Sequence, residues 1–463
     1  MSSTNEAGNS SPLILLGVTG SIAAYKSPQI LRLLADDGLS VRVAMTNAAT
    51  RFIGPLTFDA LGGGPVYLDQ LSLAAPGTSA APRPSGIEHT DLTAVAEALL
   101  IAPATADIIA KVAHGLGDDP VSALALAMKR DAALVVAPAM NPRMWANPAV
   151  RANIALLRER GAIIVGPAEG DMACGDMGTG RMSEPEEIVS WTRRALSRSR
   201  KPTELRVLIL SGPTREPIDD VRFLSNGSSG RMGRALAESA FEAGHDVTVI
   251  SGPSEIPMPH WIRTIRVNTA LEMLAESKRI ACDLVISPAA IADFSPAHRE
   301  TGKPPKDASG AIEWVATPDV LAALQKHWST VIRSAGPAAE DQTALAKAKK
   351  SGVLATPMAV STMMTATDKT VSAEPDLASL MRKSPVVVAF AAEESEDDFA
   401  KAVEKAGRKG ARAIVLNEVL STMGSTDAKV KFIDVHGGSV TAIGPGPKKF
   451  VAREILRLAT SKA

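Results

Sequence analysis

Cysteine, aromatic residues and net charge are scarce in this chain of 463 residues, and long apolar runs are missing. Two cysteines far apart in sequence cannot form a disulfide framework, so we expect a reducing, cytoplasmic setting. Lys plus Arg and Asp plus Glu each number 50, which argues against a nucleic-acid partner. No apolar run approaches the roughly 20 residues of a membrane helix, and the polar start MSSTNEAGNSSP lacks the order of a signal peptide. We therefore expect neither a membrane partner nor secretion.

Apolar strands alternate with helical segments along the chain, and the whole pattern occurs twice. PLILLGVTG predicts a buried strand followed by a helix, and the pattern restarts at ELRVLILSGPT. Few aromatics and many small residues suit helices that lie close on a sheet. We predict an α/β fold of two Rossmann-like domains with mainly parallel sheets. The predicted domains cover 1–196 and 205–463, with a linker at 197–204 and an atypical insertion at about 329–384.

The first half has small polar residues where ligands of open α/β sheets bind. In GVTGSIAAYKS, Gly20 and Ser21 lie at a strand-to-helix turn, where backbone amides can bind a phosphate. IAPATAD adds Thr105 in a second loop of this kind. Each turn taken alone is compatible with simple packing of small residues, so these two loops only indicate a ligand site.

Three further residues of the first half carry chemistry when they are taken together. They are His89 in GIEHTDL, Asn141 in PAMNPRMW and Cys174 in ACGDMGTGRM. Singly, each has an ordinary alternative: a surface histidine, a helix N-cap and an inert loop cysteine. In this order, over about residues 12–195, the motifs resemble the homo-oligomeric flavin-containing cysteine decarboxylases, and most closely the phosphopantothenoylcysteine decarboxylase branch.

This resemblance implies a flavodoxin-like flavoprotein domain that binds FMN and assigns a role to each residue. His89 is the implied acid–base group near the substrate thiol, and Asn141 would hold the substrate carboxylate and amide. Cys174 would protonate the enethiol product while the reduced flavin returns a hydride. Met144 is an implied substrate contact. The implied FMN-binding positions are Gly20, Ser21, Thr46 and Thr105.

The second half contains SGPTREPIDDVRFLSNGSSGRMG, a glycine-rich loop that leads into a helix. Backbone amides and serine hydroxyls in such a loop can bind phosphate, although a plain capped helix is the alternative. The motif resembles the phosphopantothenate–cysteine ligase domain, in which Arg222 and Asn226 would contact the substrate. The implied CTP positions are Ala289, Asp293, Lys303, Phe390, Lys405 and Lys409.

The ligase resemblance also implies a mechanism. Asn226 would hold an acyl-cytidylate intermediate, and Lys303 would offset the charge that develops on the phosphate. Mg2+ would be bound mainly by the CTP phosphates, so no residue is assigned as a certain metal ligand. Two features depart from the family pattern: Pro304-Pro305 stiffens the segment after the lysine, and the insertion has no recognisable motif.

Taken together, the two resemblances predict a bifunctional enzyme of coenzyme A biosynthesis. It would join cysteine to 4'-phosphopantothenate with CTP and then decarboxylate the product to 4'-phosphopantetheine with FMN. The implied partners are these small molecules and further copies of the chain, as trimers through the flavin domain and dimers through the ligase domain. Two alternatives stay open: a decarboxylase whose second half is a non-catalytic nucleotide-binding or regulatory module, and one that acts on a peptide with a C-terminal cysteine.

Overall fold

The chain forms two units that each build their own sheet. One unit comprises Met1–Glu204 with Phe241–His245, and the other comprises Leu205–Ala240 with Asp246–Ala463. No helix among the described residues is long and apolar enough to cross a membrane. The structure, a computed structural model, describes residues 11–68, 88–171, 175, 177–200, 204–302, 311–334, 381, 383–393, 399–418 and 425–463.

The first unit contains a five-stranded parallel sheet in the order β2-β1-β3-β4-β5, which is the flavodoxin order. A separate antiparallel hairpin is formed by β6 and β7. The strands are β1 (Leu13–Val18), β2 (Ser40–Met45), β3 (Ala96–Ala104), β4 (Ala133–Pro138), β5 (Ile163–Ile164), β6 (Ala168–Asp171) and β7 (Met177–Arg181). The helices are α1 (Ser27–Asp36), α2 (Pro55–Ala60), α3 (Glu88–Val95), α4 (Ala106–His114), α5 (Pro120–Ala127), α6 (Pro142–Ala146), α7 (Pro148–Glu159) and α8 (Pro185–Arg200).

Both faces of this sheet are buried, as the continuous apolar runs predict. Alternate residues of β1 point to opposite faces, so Leu16 packs with α1 and α8 while Leu15 packs with α4, α5 and α7. The chain is therefore a three-layer sandwich at this point. The carboxyl ends of the parallel strands are left for loops.

The second unit contains an eight-stranded sheet in the order β12-β11-β8-β13-β16-β17-β18-β19, of which the last two strands are antiparallel. Its six parallel strands follow the order 3-2-1-4-5-6 of the Rossmann fold. The strands are β8 (Arg206–Ser211), β9 (Arg215–Pro217), β10 (Phe223–Ser225), β11 (Asp246–Ser251), β12 (Arg263–Arg266), β13 (Leu284–Ser287), β14 (Phe294–Pro296), β15 (Trp314–Ala316), β16 (Val386–Glu393), β17 (Ala413–Glu418), β18 (Asp427–Asp434) and β19 (Val440–Pro447). The helices are α9 (Arg231–Glu242), α10 (Ala270–Ser277), α11 (Val320–Ser334), α12 (Phe399–Arg408) and α13 (Lys448–Thr460).

The predicted fold class is confirmed, but two segments differ locally from the sequence reading. Residues 197–200 were predicted to belong to the linker, but they form the last turn of α8. Residues 329–334, taken with the insertion, continue α11, because the fully buried Trp328 holds this helix in the core. Residues 335–380 of the insertion lie outside the described residues, as do 201–203 of the linker.

Candidate active site

Each unit has one topological switch point, where the chain proceeds to opposite sides of its first strand. In the first unit it lies between β1 and β3, and in the second between β8 and β13. Open α/β sheets bind ligands outside the carboxyl ends of the strands at this point, because the loops there diverge and leave a crevice. Of the motifs singled out in the sequence, the turns at Gly20 and Thr105 follow β1 and β3, and the loops that carry Arg222 and Asp293 follow β8 and β13.

Thr19 joins the two loops at the switch point of the first unit. Its hydroxyl donates to the Pro103 carbonyl at 2.7 Å and accepts the Thr105 backbone N–H at 3.2 Å. Ser27 adds a hydrogen bond of 2.8 Å to the Ala102 carbonyl. Sequence reasoning missed Thr19, which is only 1% exposed, although a threonine directly after an apolar strand is a usable signal.

The predicted FMN turn is tightly closed. Ser21 caps a 3-10 helix, Ile22–Lys26, by accepting the Ala23 N–H, so α1 is preceded by this short turn. A Cβ on Gly20 would lie 2.5 Å from the Ala48 Cβ, which explains the glycine. Small residues at a capped turn outside a parallel strand fit a bound phosphate group.

The two predicted threonines lie at the same edge. Thr46 donates its N–H to the Val18 carbonyl at 3.1 Å, which places it beside the end of β1. Thr105 is the N-cap of α4 and accepts the Ile108 N–H at 3.3 Å. The structure therefore brings Gly20, Ser21, Thr46 and Thr105 to one edge of the sheet.

Asn141 lies on the loop after β4. Its Oδ1 accepts the Arg143 N–H at 2.8 Å, so the N-cap interpretation is correct for this oxygen. The loop bonds to two neighbours, since Ala139 N–H donates to Ala104 and Met140 N–H donates to Gly180 of β7, each at 3.0 Å. Met144, on α6, is 48% exposed.

The remaining two residues predicted for decarboxylation are placed only by their backbone context. His89 is the second residue of α3, and its side chain is outside the described residues. Cys174 lies between β6 and β7 and is itself outside the described residues. The hairpin around it is fixed next to α6, since a Cβ at Gly178 would come within 3.3 Å of Pro142.

Thr214 repeats in the second unit the role of Thr19. This fully buried hydroxyl accepts the Ala292 N–H at 3.0 Å, and Ala290 N–H donates to the Gly212 carbonyl at 3.0 Å. The turn after β8 is thereby tied to the loop after β13, which carries Ala289 and Asp293. Sequence reasoning missed Thr214, because its partner is 78 residues away.

Asn226 joins the same cluster. Its Nδ2 donates to the Ile291 carbonyl at 2.9 Å. The glycine-rich loop that follows ends at Gly230, whose φ of +73° favours glycine, and α9 starts at the next residue. A Cβ on Gly233 would lie 1.9 Å from Ser211 Oγ, so α9 packs directly on the end of β8.

Arg222 is held by a carboxylate. Its Nε donates to Asp219 at 2.5 Å, and its backbone N–H donates to the same carboxylate at 2.6 Å. The hydrogen bond from the Arg222 backbone N–H is the largest cause that holds the pKa of Asp219 below its usual value, and the side-chain bond adds to it. The buried Asp219 carboxylate thus orients the Arg222 guanidinium, which is predicted to contact the substrate.

A second carboxylate in this loop fixes the chain before Lys303. Asp220 accepts the Gly302 N–H at 2.8 Å and pairs with Arg299 at 2.8 Å. Both contacts lower the pKa of Asp220, and the hydrogen bond from Gly302 is the larger cause. Lys303, with 304–310, lies outside the described residues.

The other predicted CTP residues lie on the β16 side of the sheet. Phe390 is half-buried on β16 opposite Val415. Lys405 lies in the last turn of α12, and Lys409 follows the helix with its N–H bonded to the Lys405 carbonyl at 3.2 Å. The Lys409 ammonium lies 3.8 Å from Asp319.

A cavity of about 810 Å³ opens on the opposite side, around the loop after β11. Arg215, Arg263 and Arg266 are among its lining residues, and its described walls include none of the predicted site residues. The cavity therefore does not identify the predicted site.

Comparisons with known proteins agree with both halves. Residues 2–197 match the family described as Flavoprotein, and residues 203–374 and 362–462 match the DNA/pantothenate metabolism flavoprotein C-terminal domain. The coenzyme A biosynthesis bifunctional protein CoaBC of Vibrio vulnificus strain YJ016 is 42% identical over 317 residues, covering 67% of this chain and 76% of that protein. The protein of the same name from Escherichia coli K12 is 42% identical over 328 residues, covering 69% and 78%.

A third relative gives the same result. The CoaBC protein of Bacillus subtilis strain 168 is 40% identical over 317 residues, covering 67% of this chain and 76% of that protein. The order of the two family matches is the order of the two sheets in the structure. The chain belongs to the family of coenzyme A biosynthesis bifunctional proteins.

Proposed function

We propose that the first unit decarboxylates phosphopantothenoylcysteine with FMN and that the second unit makes this substrate from 4'-phosphopantothenate, cysteine and CTP. The observation that carries the proposal is the pair of threonine ties. Thr19 and Thr214 each lock the motif-bearing loops together at the switch point of their own sheet. Both family motifs thus lie where ligands of such sheets bind.

The turn at Gly20 and Ser21 would hold the FMN phosphate, with Thr46 and Thr105 at the same edge. Bound FMN would supply the two-electron oxidation of the substrate thiol and later return those electrons. Asn141 would bind the substrate carboxylate through its Nδ2–H donors, because Oδ1 accepts a backbone N–H.

His89 and Cys174 would move the protons of this reaction. The imidazole would take the thiol proton, a task that suits its near-neutral pKa range. The Cys174 thiol would protonate the enethiol product from the connection between β6 and β7. The hairpin lies beside the Asn141 loop, which supports a common site for the two residues.

In the second unit, the loop at 225–230 and the N-terminus of α9 would hold phosphate groups of CTP, and Mg2+ brought in with CTP would help to neutralise their charge. Lys405 and Lys409 would neutralise the triphosphate, and Phe390 would contact the base. Asn226 and Arg222 would hold the acyl group. Lys303 would offset the charge that develops at the α-phosphate.

We also propose that the chain works as a cytoplasmic homo-oligomer, trimeric through the first unit and dimeric through the second. Each unit exposes large apolar side chains that a second copy would cover. In the first unit these include Ile22, Tyr25, Phe52 and Leu56, and in the second Phe223, Phe294 and Trp314. Sedimentation of the purified chain tests this, and a monomer at micromolar concentration would contradict it.

The two activities are tested separately with half-reactions. Pyrophosphate release from phosphopantothenate, cysteine, CTP and Mg2+ tests ligation, and CO2 release from supplied phosphopantothenoylcysteine tests decarboxylation. Lys303→Gln should stall ligation and leave decarboxylation intact. Decarboxylation without any ligation by the wild type would favour the alternative, in which the second unit is a non-catalytic nucleotide-binding module.

A further inference from the structure

A buried lysine connects the predicted FMN turn to the β6–β7 hairpin. The Lys26 side chain is 9% exposed, and its Nζ lies 2.9 Å from Glu184 Oε2. The other oxygen of the same carboxylate, Oε1, lies 2.5 Å from Nη2 of Arg181. Glu184 therefore bridges two cations that come from different parts of the first unit.

The two cations belong to two segments of the predicted site, here called its two walls: the FMN turn at 20–26, and the β6–β7 hairpin with the Asn141 loop bonded to it. Lys26 is the last residue of the 3-10 helix that Ser21 caps, so it is joined directly to the predicted phosphate turn. Arg181 is the last residue of β7, where the neighbouring Gly180 carbonyl accepts the Met140 N–H. Asn141 directly follows Met140 in the loop after β4.

We propose that Glu184 is a positioning residue of the decarboxylase unit: through Lys26 and Arg181 it fixes the hairpin and the Asn141 loop relative to the FMN turn. This inference depends on the proposed function for its effect on the reaction. The contact between the two walls can be tested independently of that function.

The negative charge is necessary for this bridge. A carboxylate can accept from both cations in charge-assisted hydrogen bonds, whereas an amide of the same shape offers one oxygen and no charge. The Glu184 side chain is 53% exposed, so water weakens the pair, but the Lys26 side chain is 9% exposed and its ammonium loses its counter-charge in the variant, so we expect Lys26 to move. Glu184→Gln should therefore separate the walls without removing bulk.

The FMN turn itself has independent support. Thr19 and Ser27 bond to the carbonyls of Pro103 and Ala102, and neither bond involves Glu184. Loss of the bridge should consequently leave the turn in place. This predicts an effect on the substrate side of the site with little effect on FMN affinity.

The chain offers a matched control pair. Gln29 of α1 donates to Glu186 of α8 at 3.0 Å, and no hydrogen bond or ion pair found among the described residues joins Glu186 to the hairpin. Glu184 and Glu186 both lie at the N-terminal end of α8, so both substitutions remove a similar interaction with the helix dipole. Of these two glutamates, Glu184 alone contacts both Lys26 and Arg181 among the described residues.

The experiment compares Glu184→Gln, Glu184→Asp and Glu186→Gln in the full chain. Hydrogen exchange of the Met140 amide reports on the contact with β7, and we expect it to be at least about tenfold faster in Glu184→Gln. We expect the KM for phosphopantothenoylcysteine to rise about tenfold while the FMN dissociation constant stays within about twofold. Glu184→Asp keeps the charge, so its exchange rate at Met140 and its KM should lie between those of Glu184→Gln and the wild type. Glu186→Gln should match the wild type in both quantities.

Unchanged exchange at Met140 in Glu184→Gln would overturn the bridge, and so would equal acceleration in Glu186→Gln. Faster exchange with an unchanged KM would overturn the positioning role. Loss of FMN from Glu184→Gln would also overturn it, by showing that the residue maintains the flavin turn itself. Failure of the wild type to decarboxylate would contradict the proposed function instead, and the exchange comparison would still decide the bridge.

Discussion

Thr19→Val tests the tie that holds the two loops of the first switch point together. Valine keeps the shape of threonine but removes the hydroxyl that donates to Pro103 and accepts from Thr105. The buried Pro103 carbonyl then lacks its donor, at a cost of about 1–3 kcal/mol. The added methyl group offsets less than about 1 kcal/mol. The half-buried Thr105 N–H can still reach water, so the expected net loss is about 2 kcal/mol.

For a unit of about 200 residues, this loss corresponds to a decrease of about 4–8 °C in Tm. FMN affinity should fall about tenfold, since Gly20 and Ser21 directly follow the substituted residue. Differential scanning calorimetry gives the Tm, and flavin fluorescence during titration of the apoprotein gives the dissociation constant. Thr19→Ser is the control, because it keeps the hydroxyl and should bind FMN like the wild type. Wild-type affinity and Tm in Thr19→Val would refute the reasoning.

Three further outcomes are expected. Thr214→Val should lower the free energy of unfolding of the second unit by about 1–3 kcal/mol in urea titrations, because the buried Ala292 N–H loses its acceptor; an unchanged midpoint would contradict this. Asp219 and Asp220 have lowered pKa values in the folded chain, so their stabilising effect is complete above the unfolded value of 3.8 and is lost as pH falls below it. The free energy of unfolding of Asp220→Asn should therefore fall less steeply with acid than that of the wild type. An equally steep fall in the variant and the wild type would argue against the contact with Gly302. Burial raises the pKa of the Cys282 thiol to about 12, so iodoacetamide at pH 8 should label it only in urea, as peptide mass spectrometry would show; native labelling would contradict its burial.

The sheets could be predicted from the sequence because their strands are continuous apolar runs with glycine at the ends. A strand such as Leu13–Val18 is buried on both faces, and this burial is visible in its composition alone. The flavodoxin-like character of the first domain follows from the family resemblance and is confirmed by the strand order of its sheet. The loops after β1 and β8 lie, as predicted, at the carboxyl ends of parallel strands.

The ties that organise the sites could not be predicted in the same way. Thr19 bonds to a carbonyl 84 residues away, and local periodicity contains no information on that partner. Lys26 appeared only as part of a helical segment, although its side chain is buried against Glu184, 158 residues distant. Asn141 shows the converse: its loop after β4 was predicted, but the structure was needed to show that its Oδ1 accepts the Arg143 N–H as the cap of α6. Such choices depend on the tertiary contacts of single atoms.

Mass spectrometry of the complete reaction tests the central claim most directly. The purified chain with FMN, 4'-phosphopantothenate, cysteine, CTP and Mg2+ should yield 4'-phosphopantetheine, with one CMP and one CO2 released for each molecule formed. This result would establish that both switch-point sites work in one chain. Unchanged phosphopantothenate, from a preparation that still decarboxylates added phosphopantothenoylcysteine, would contradict the proposed ligase activity of the second unit.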